Sequence, residues 1–186
     1  MGIDPAARDL YRKLDLKPPA RVCDLGSQEM SQGIGGSAKD WMEHQGFEYV
    51  SIDFDGTFGA LKLDLNVTTY DDICWEKGPN QHFDIVTNHG TTEHIFNQAN
   101  VFKLMHDLTK VGGMMIHAVP TLQFGRPHGF YFYDETIFKD LAYTNDYDIL
   151  HMYRRSEPCE IILVAMRKLS YSYFKMSIQG MYRDSV

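Results

Sequence analysis

Four of the eight histidines fall at or near loops that follow expected strands, where an imidazole could move a proton near neutral pH. They are His89, His94, His117 and His128. A free imidazole has a pKa of about 6.5, so a histidine can take a proton from a hydroxyl group under ordinary conditions. We expect His128, His89 and His94 to carry such chemistry. The alternative for each is a histidine that only makes hydrogen bonds within the fold.

A short strand that ends in glycine indicates a second kind of site. Residues 21–26 read Arg-Val-Cys-Asp-Leu-Gly and lead into the polar residues Ser27 and Gln28. The apolar residues suit a buried parallel strand, and Gly26 removes the side chain where the backbone turns and a ligand comes close. Asp53 ends the next expected strand, where sheets of this kind bind ribose hydroxyls. A solvated carboxylate is the alternative for Asp53.

Strands and helices alternate along the chain, which predicts an α/β fold with a mostly parallel sheet. In such a sheet the loops that follow the strands meet at one edge, so the histidines and Asp53 should lie near one another. The expected strands are 21–26, 47–53, 61–65, 83–88, 114–119, 147–152 and 160–166. The expected helices are 4–14, 37–46, 70–75, 95–110 and 134–145.

The long loop after the fifth strand, 120–133, is rich in glycine, proline and aromatic residues. It leaves the expected site edge and carries Arg126 and His128 between two possible hinges, Gly125 and Gly129. We expect a lid that brings His128 to a bound ligand. A loop that only packs on the core is the alternative.

Glu93 and His94 carry side chains that can bind a metal ion, and they are neighbours in the chain. Adjacent residues at the start of a helix point in different directions, however, and no paired carboxylates follow the fourth strand. Cys23, Cys74 and Cys159 also lack the spacing of a metal site. We therefore expect no metal ion.

Length, charge and composition restrict the class of protein. The 186 residues fit one domain, 1–186, with an N-terminal helical segment at 1–19 and a tail at 168–186. The formal net charge is -7 and no basic run exceeds two residues, which argues against nucleic acid as a partner. Neither a signal region nor an apolar run of membrane-spanning length occurs, so we expect a cytoplasmic protein without a membrane partner.

Five short motifs follow one another at 22–26, 49–53, 63–65, 83–95 and 108–120, reading VCDLG, YVSID, LDL, FDIV with a later EHI, and LTKVGGMMIHAVP. In this order they resemble the class I S-adenosylmethionine-dependent methyltransferases, within them the ubiquinone-biosynthesis-like branch of small-molecule enzymes. The resemblance covers roughly 21–167. It implies a Rossmann-like methyltransferase fold, with helices on both faces of a mostly parallel seven-stranded sheet. The implied strand order is 3-2-1-4-5-7-6, with strand seven antiparallel.

The resemblance also implies S-adenosylmethionine as the cofactor and a small molecule as the methyl acceptor, with a hydroxyl group as the expected acceptor. Gly26 and Ser27 would contact the methionine part of the cofactor. Asp53 would bind the ribose, Asp64 the adenine amino group, and Asn88 would line the sulfonium side. The implied cofactor-binding set is Asp24, Gly26, Ser27, Gln28, Asp53, Phe54, Asp64, Leu65, Asn88 and His89.

The loop after the first strand departs from the family pattern of three closely spaced glycines. Gly26 is followed by six residues other than glycine, and the next glycines are Gly33, Gly35 and Gly36. This leaves open a domain that binds the cofactor without catalysis. Residues 33–38 also fit the dinucleotide pattern G-x-G-x-x-A, but they begin well after the strand ends, which disfavours a nicotinamide-dependent oxidoreductase. The short N-terminal segment leaves room for a homodimer partner that completes the pocket.

Overall fold

One seven-stranded sheet positions every other element. The computed structural model describes residues 2–31, 35–78, 82–124 and 128–176. The strands are β1 (Arg21–Leu25), β2 (Glu48–Asp53), β3 (Leu61–Lys62), β4 (Phe83–His89), β5 (Thr109–Pro120), β6 (Tyr147–Arg155) and β7 (Ile161–Lys168). Their order is β3-β2-β1-β4-β5-β7-β6, and only β7 runs antiparallel to its neighbours. The predicted fold class and strand order are confirmed.

In the described part of the chain, five α-helices lie before or between the strands, and each begins where the sequence supplies a capping side chain. They are α1 (Pro5–Lys13), α2 (Ala38–His44), α3 (Tyr70–Lys77), α4 (Gln98–Leu108) and α5 (Glu135–Asn145). The side chain that precedes each helix accepts a hydrogen bond from a backbone N–H of the first turn, as those of Asp4 and Thr69 do. Within the described part of the chain, no helix has the length and apolar character of a membrane span.

The apolar side chains form two layers, one on each face of the sheet. The first layer joins α3, α4 and α5 to residues such as Cys23, and the second joins α1 and α2 to residues such as Val22. Neighbouring residues of β1 thus enter different layers, as the two-residue period of a strand requires. With both faces covered, the edge formed by the carboxyl ends of the parallel strands is left to carry a site.

The junction between α4 and β5 differs from the prediction. We expected a helix to Lys110 and a strand from Met114, but α4 ends at Leu108 and β5 begins at Thr109. The Thr109 hydroxyl donates to the Met105 carbonyl and so satisfies the helix end. The two glycines at 112–113 lie inside the strand, where the pairing of β4 with β5 shifts register.

The third strand is shorter than expected, since it pairs with β2 only over Leu61–Lys62 and leaves Asp64 in the loop that follows. Asp64 accepts hydrogen bonds at Oδ1 from the backbone and side-chain nitrogens of Asn66, each at 2.9 Å, which turns the chain out of the sheet. The expected hinge Gly125, the adjacent Arg126 and Gly33 lie outside the described residues.

Candidate active site

A cavity of about 480 Å³ opens at the carboxyl ends of β1, β2 and β4. Its size falls within the range of small-molecule sites. Seven of the ten predicted cofactor-binding residues line it: Gly26, Ser27, Gln28, Asp53, Phe54, Asp64 and Leu65. The other lining residues are Ile52, Leu63, Asn66, Gly90, Thr91, His94 and Ile95. The sequence motifs thus converge on one cavity.

The turn after β1 is tied to the loop after β4 through one threonine. Gly26 has a φ of +96°, and a Cβ built on it would lie 2.3 Å from Oγ1 of Thr91. That hydroxyl donates to the Leu25 carbonyl at 2.7 Å and accepts from Nε2 of Gln28 at 3.0 Å. Only glycine fits between the two loops here. The sequence alone does not single out Thr91, because a lone threonine in a loop carries no pattern.

Asp53 lies between the β1 and β2 loops. Its Oδ2 accepts the backbone N–H of Ser27 at 2.7 Å, and its Oδ1 accepts that of Asp55 at 3.3 Å. Asp64 lines the same cavity and accepts its two bonds from Asn66 through one oxygen. Because two carboxylate oxygens together offer about four acceptor positions, both side chains retain capacity for hydroxyl or amino groups of a ligand.

Three predicted cofactor residues are not among the residues that line this cavity. Asp24 is fully buried and accepts hydrogen bonds from Tyr49 Oη at 2.7 Å and Thr87 Oγ1 at 2.8 Å. Burial raises the pKa of its carboxyl to about 7, while these two hydroxyls oppose the shift. Asp24 therefore joins β1, β2 and β4 inside the core.

Asn88 and His89, at the end of β4, are also engaged elsewhere. Oδ1 of Asn88 accepts hydrogen bonds from the backbone N–H groups of Thr91 and Thr92, so it holds the loop that follows β4 in place. His89 is buried against α1 and shares a hydrogen bond with the Tyr11 hydroxyl. Desolvation lowers the His89 pKa to about 4, which keeps the ring neutral. His89 does not join the other two predicted catalytic histidines.

His94 and His128 do come together. Their Nε2 atoms are 3.2 Å apart, and the rings meet edge to face. His94 lines the cavity and ends the turn Thr92–His94, whereas His128 comes from the loop after β5. The loop after β5 thus reaches His94, a residue of the cavity wall.

Glu93 completes this group, which we call the Glu93 cluster: Glu93, His94 and His128. Oε1 of Glu93 lies 3.4 Å from Nε2 of His128 and 3.9 Å from Nε2 of His94. Our expectation that the side chains of Glu93 and His94 point in different directions was wrong. The tight turn that follows β4 brings both side chains together beside His128. The carboxylate is buried, neither oxygen accepts a hydrogen bond from the described residues, and burial raises its pKa to about 7.

The loop after β5 is fixed against the turn that carries Glu93. The Phe130 N–H donates to the Glu93 carbonyl at 2.7 Å. A Cβ built on Gly129 would lie 2.7 Å from that same carbonyl oxygen, so the close approach requires glycine. The His128 ring stacks on Phe124, with centroids 4.9 Å apart. The position of His128 is therefore held from both sides.

The cavity lies at the carboxyl ends of the parallel strands, at the point where the strand order of the doubly wound sheet reverses. Sheets of this kind bind nucleotides there, and this is the arrangement predicted for a methyltransferase. The sequence profile described as a methyltransferase domain matches residues 3–161. The chain belongs to this family of methyltransferases, which confirms the predicted S-adenosylmethionine-dependent class of enzyme and its cofactor.

Solved structures share the fold at low sequence identity. A 1,6-didemethyltoxoflavin-N1-methyltransferase from Burkholderia thailandensis is 15% identical, with 89% of this chain and 77% of that chain covered and a TM-score of 0.60. An S-adenosylmethionine-dependent methyltransferase from Mesorhizobium loti is 13% identical, with 87% and 96% covered and a TM-score of 0.61. The N-methyltransferase NodS from Bradyrhizobium japonicum is 12% identical, with 90% and 89% covered and a TM-score of 0.58. No curated protein sequence matches significantly.

Proposed function

We propose that this methyltransferase transfers the methyl group of S-adenosylmethionine to the hydroxyl oxygen of a small molecule. The observation that carries the proposal is that one cavity has Asp53 on one wall and His94 of the Glu93 cluster on another. A donor bound along the β1 and β2 loops would thus face groups able to handle a proton. The donor and the acceptor would meet within the same cavity.

The cavity lining supports a set of cofactor contacts. We assign the methionine part to the turn at Gly26 and Ser27, the ribose to Asp53, and the adenine end to Asp64 and Leu65. Phe54 is largely exposed beside them and is available to cover the cofactor. The delayed glycines of the loop after β1 are compatible with this assignment, because Gly26 alone supplies the tight turn and the close approach.

A hydroxyl acceptor is favoured by the Glu93 cluster. A hydroxyl group is a weak nucleophile until its proton is removed, and imidazole is well suited to removing it. A neutral amine attacks without prior loss of a proton, so it has less need of such a group. Two of the structural neighbours are named as N-methyltransferases, which makes an amine the competing acceptor.

The test is a comparison of acceptor classes on the purified enzyme. Calorimetry first measures S-adenosylmethionine binding, and S-adenosylhomocysteine formation is then followed with matched phenols, catechols, aliphatic alcohols and amines. We expect turnover with at least one hydroxyl compound and none with its amine analogue. Turnover with amines alone would overturn the hydroxyl assignment, and tight binding without turnover on any acceptor would favour a catalytically silent domain.

We also retain the predicted homodimer and cytoplasmic location as proposals. Phe54, Phe96 and Phe130 are exposed on loops near the cavity, which supports a second subunit covering it. Light scattering at several protein concentrations measures the mass directly. A monomer at every concentration would contradict the homodimer.

A further inference from the structure

The three polar side chains of the Glu93 cluster have the spacing of ligands around one ion. The distances between Nε2 of His94, Nε2 of His128 and Oε1 of Glu93 are 3.2, 3.4 and 3.9 Å. A point equally distant from these atoms lies about 2 Å from each, which is the bond length of Zn²⁺ to imidazole nitrogen or carboxylate oxygen. A single ion at that point would contact all three groups without movement of the backbone.

The environment of Glu93 supports a cation at this point. Its carboxylate is buried, and neither oxygen accepts a hydrogen bond from the described residues. Burial of a charged carboxylate without partners is costly, so such a group takes up a proton, is paired or binds a metal ion. The Nε2 atom of His128 lies near Oε1 but outside hydrogen-bond geometry. Both histidines also direct Nε2 to the same small volume.

The backbone around the cluster is preorganised, which favours binding over a chance meeting of polar groups. Glu93 and His94 belong to one short turn, and the Phe130 N–H fixes the loop of His128 to the Glu93 carbonyl. Gly129 allows this contact, since a side chain there would strike Glu93.

We propose that Glu93, His94 and His128 bind one divalent first-row transition-metal ion, with Zn²⁺ as the reference ion, beside the cofactor cavity. Two imidazoles and one carboxylate suit Zn²⁺, Co²⁺, Mn²⁺ or Fe²⁺, whereas Mg²⁺ and Ca²⁺ prefer oxygen ligands. Three protein ligands leave at least one coordination position for water or substrate, as in catalytic zinc sites. His94 lines the cavity, so the ion would border the space in which the acceptor binds.

The role of the ion rests on the proposed hydroxyl methylation. In the ion-bound enzyme the two imidazoles would be ligands and not bases. Coordination of the acceptor oxygen would then lower the pKa of its hydroxyl, and the proton would pass to solvent. The oxygen then forms a bond to the methyl carbon while the sulfur–methyl bond breaks. The electron pair of the broken bond stays on sulfur, so the products are the methyl ether and S-adenosylhomocysteine.

Metal binding is tested without any methyl acceptor. Chelator-treated protein is titrated with Zn²⁺ in a calorimeter and with Co²⁺ by visible absorption, and Mg²⁺ serves as the comparison ion. We expect one equivalent of Zn²⁺ or Co²⁺ and much weaker binding of Mg²⁺. The absence of stoichiometric Zn²⁺ and Co²⁺ binding, or equal affinity for Mg²⁺, would overturn the proposal.

Three variants locate the site. His128→Ala and Glu93→Gln should each weaken Zn²⁺ binding by about 100-fold or more, since even loss of a residue that only orients a ligand costs 10- to 100-fold. His44→Ala removes an exposed histidine of α2 and should bind Zn²⁺ like the wild type. Glu93→Gln keeps the shape of the side chain, so it remains informative if His128→Ala folds poorly. Wild-type Zn²⁺ affinity in both cluster variants would contradict the assignment.

The same protein separates this proposal from the proposed function. Hydroxyl methylation at the same rate in the metal-free and Zn²⁺-loaded enzyme would remove the role of the ion and leave the activity intact. Stoichiometric Zn²⁺ binding lost in the cluster variants, together with methylation of amines only, would leave the metal site intact and remove the hydroxyl acceptor.

Discussion

Asp24 and Glu93 are two buried carboxyl groups with opposite surroundings. In both, desolvation raises the pKa to about 7. Asp24 accepts hydrogen bonds from the hydroxyls of Tyr49 and Thr87, whereas Glu93 accepts none from the described residues. Burial and a raised pKa therefore do not by themselves distinguish a functional carboxylate from a structural one.

The partners of each carboxyl group make that distinction. Asp24 lies between neighbouring strands and accepts hydrogen bonds from the hydroxyls of Tyr49 in β2 and Thr87 in β4, so its bonds stabilise the sheet. Glu93 lies beside two histidines, one of which lines the cavity, and its oxygens remain available to a ligand. We therefore assign stability to Asp24 and chemistry to Glu93.

The largest expected effect is on turnover. His128→Ala removes one imidazole from the Glu93 cluster, and we expect turnover to fall by about 10² to 10⁴, whether that imidazole takes the hydroxyl proton itself or holds an ion that lowers the pKa of the hydroxyl. S-adenosylmethionine affinity, measured by calorimetry, should stay nearly unchanged. An equal loss of cofactor affinity would indicate a lid residue instead, and full activity would exclude His128 from the reaction.

The next effect is on stability. Asp24→Ala leaves two buried hydroxyls without their acceptor, so we expect the free energy of unfolding to fall by about 2 to 4 kcal/mol. Glu93→Gln breaks no hydrogen bond made by the described residues, so the metal-free variant should stay within about 1 kcal/mol of the wild type. Urea denaturation measures both. A larger loss for Glu93→Gln than for Asp24→Ala would reverse our two assignments.

Cofactor affinity provides a third test. Asp53→Ala should weaken S-adenosylmethionine binding by about tenfold or more, because hydrogen bonds to a charged group contribute roughly 1.5 to 3 kcal/mol. Asp55→Ala is the matched control, since Asp55 is an exposed carboxylate two residues away that does not line the cavity. Unchanged calorimetric binding in a folded Asp53→Ala protein would refute the ribose assignment.

The last effect is the pH dependence of stability. The ordinary pKa of an aspartate is 3.8, and that of Asp24 in the folded protein is about 7. Between these values the folded protein retains a proton that the unfolded chain releases, so the contribution of Asp24 is full below about pH 4 and falls up to about pH 7.

Asp24→Asn isolates this contribution. The unfolding free energy of the wild type minus that of Asp24→Asn should decrease from about pH 4 to about pH 7 and then level off. Denaturation curves at several pH values give the difference. A difference that is constant or that rises with pH would contradict the raised pKa of Asp24.

Most of the fold could be predicted because its signals are local and repeated. Apolar runs that end in Asp24-Leu-Gly26 and in Asp53 indicated both the parallel strands and the edge where the cavity lies. The α4–β5 boundary was missed because glycines commonly end a helix. Here Gly112 and Gly113 lie in a strand, where they accommodate a register shift.

Site residues could be predicted only where their position in the chain fixes their place in the fold. Gly26 and Asp53 were identified as cavity residues because strand ends fix their place, and Asp64 was identified from the family motif LDL. The convergence of Glu93 with His128 depends on a loop contact between residues far apart in the chain, which no local pattern contains. The same limit explains His89, whose ring lies against α1 and not toward the cavity.

The most direct test of the assignment of chemistry to Glu93 is the turnover of Glu93→Gln beside that of Asp24→Asn, at saturating S-adenosylmethionine with the best hydroxyl acceptor. We predict that Glu93→Gln keeps its cofactor affinity and loses turnover by about 10-fold or more, while Asp24→Asn changes stability without a comparable loss of turnover. Wild-type turnover in Glu93→Gln, or a greater loss in Asp24→Asn, would contradict the assignment of chemistry to the Glu93 cluster.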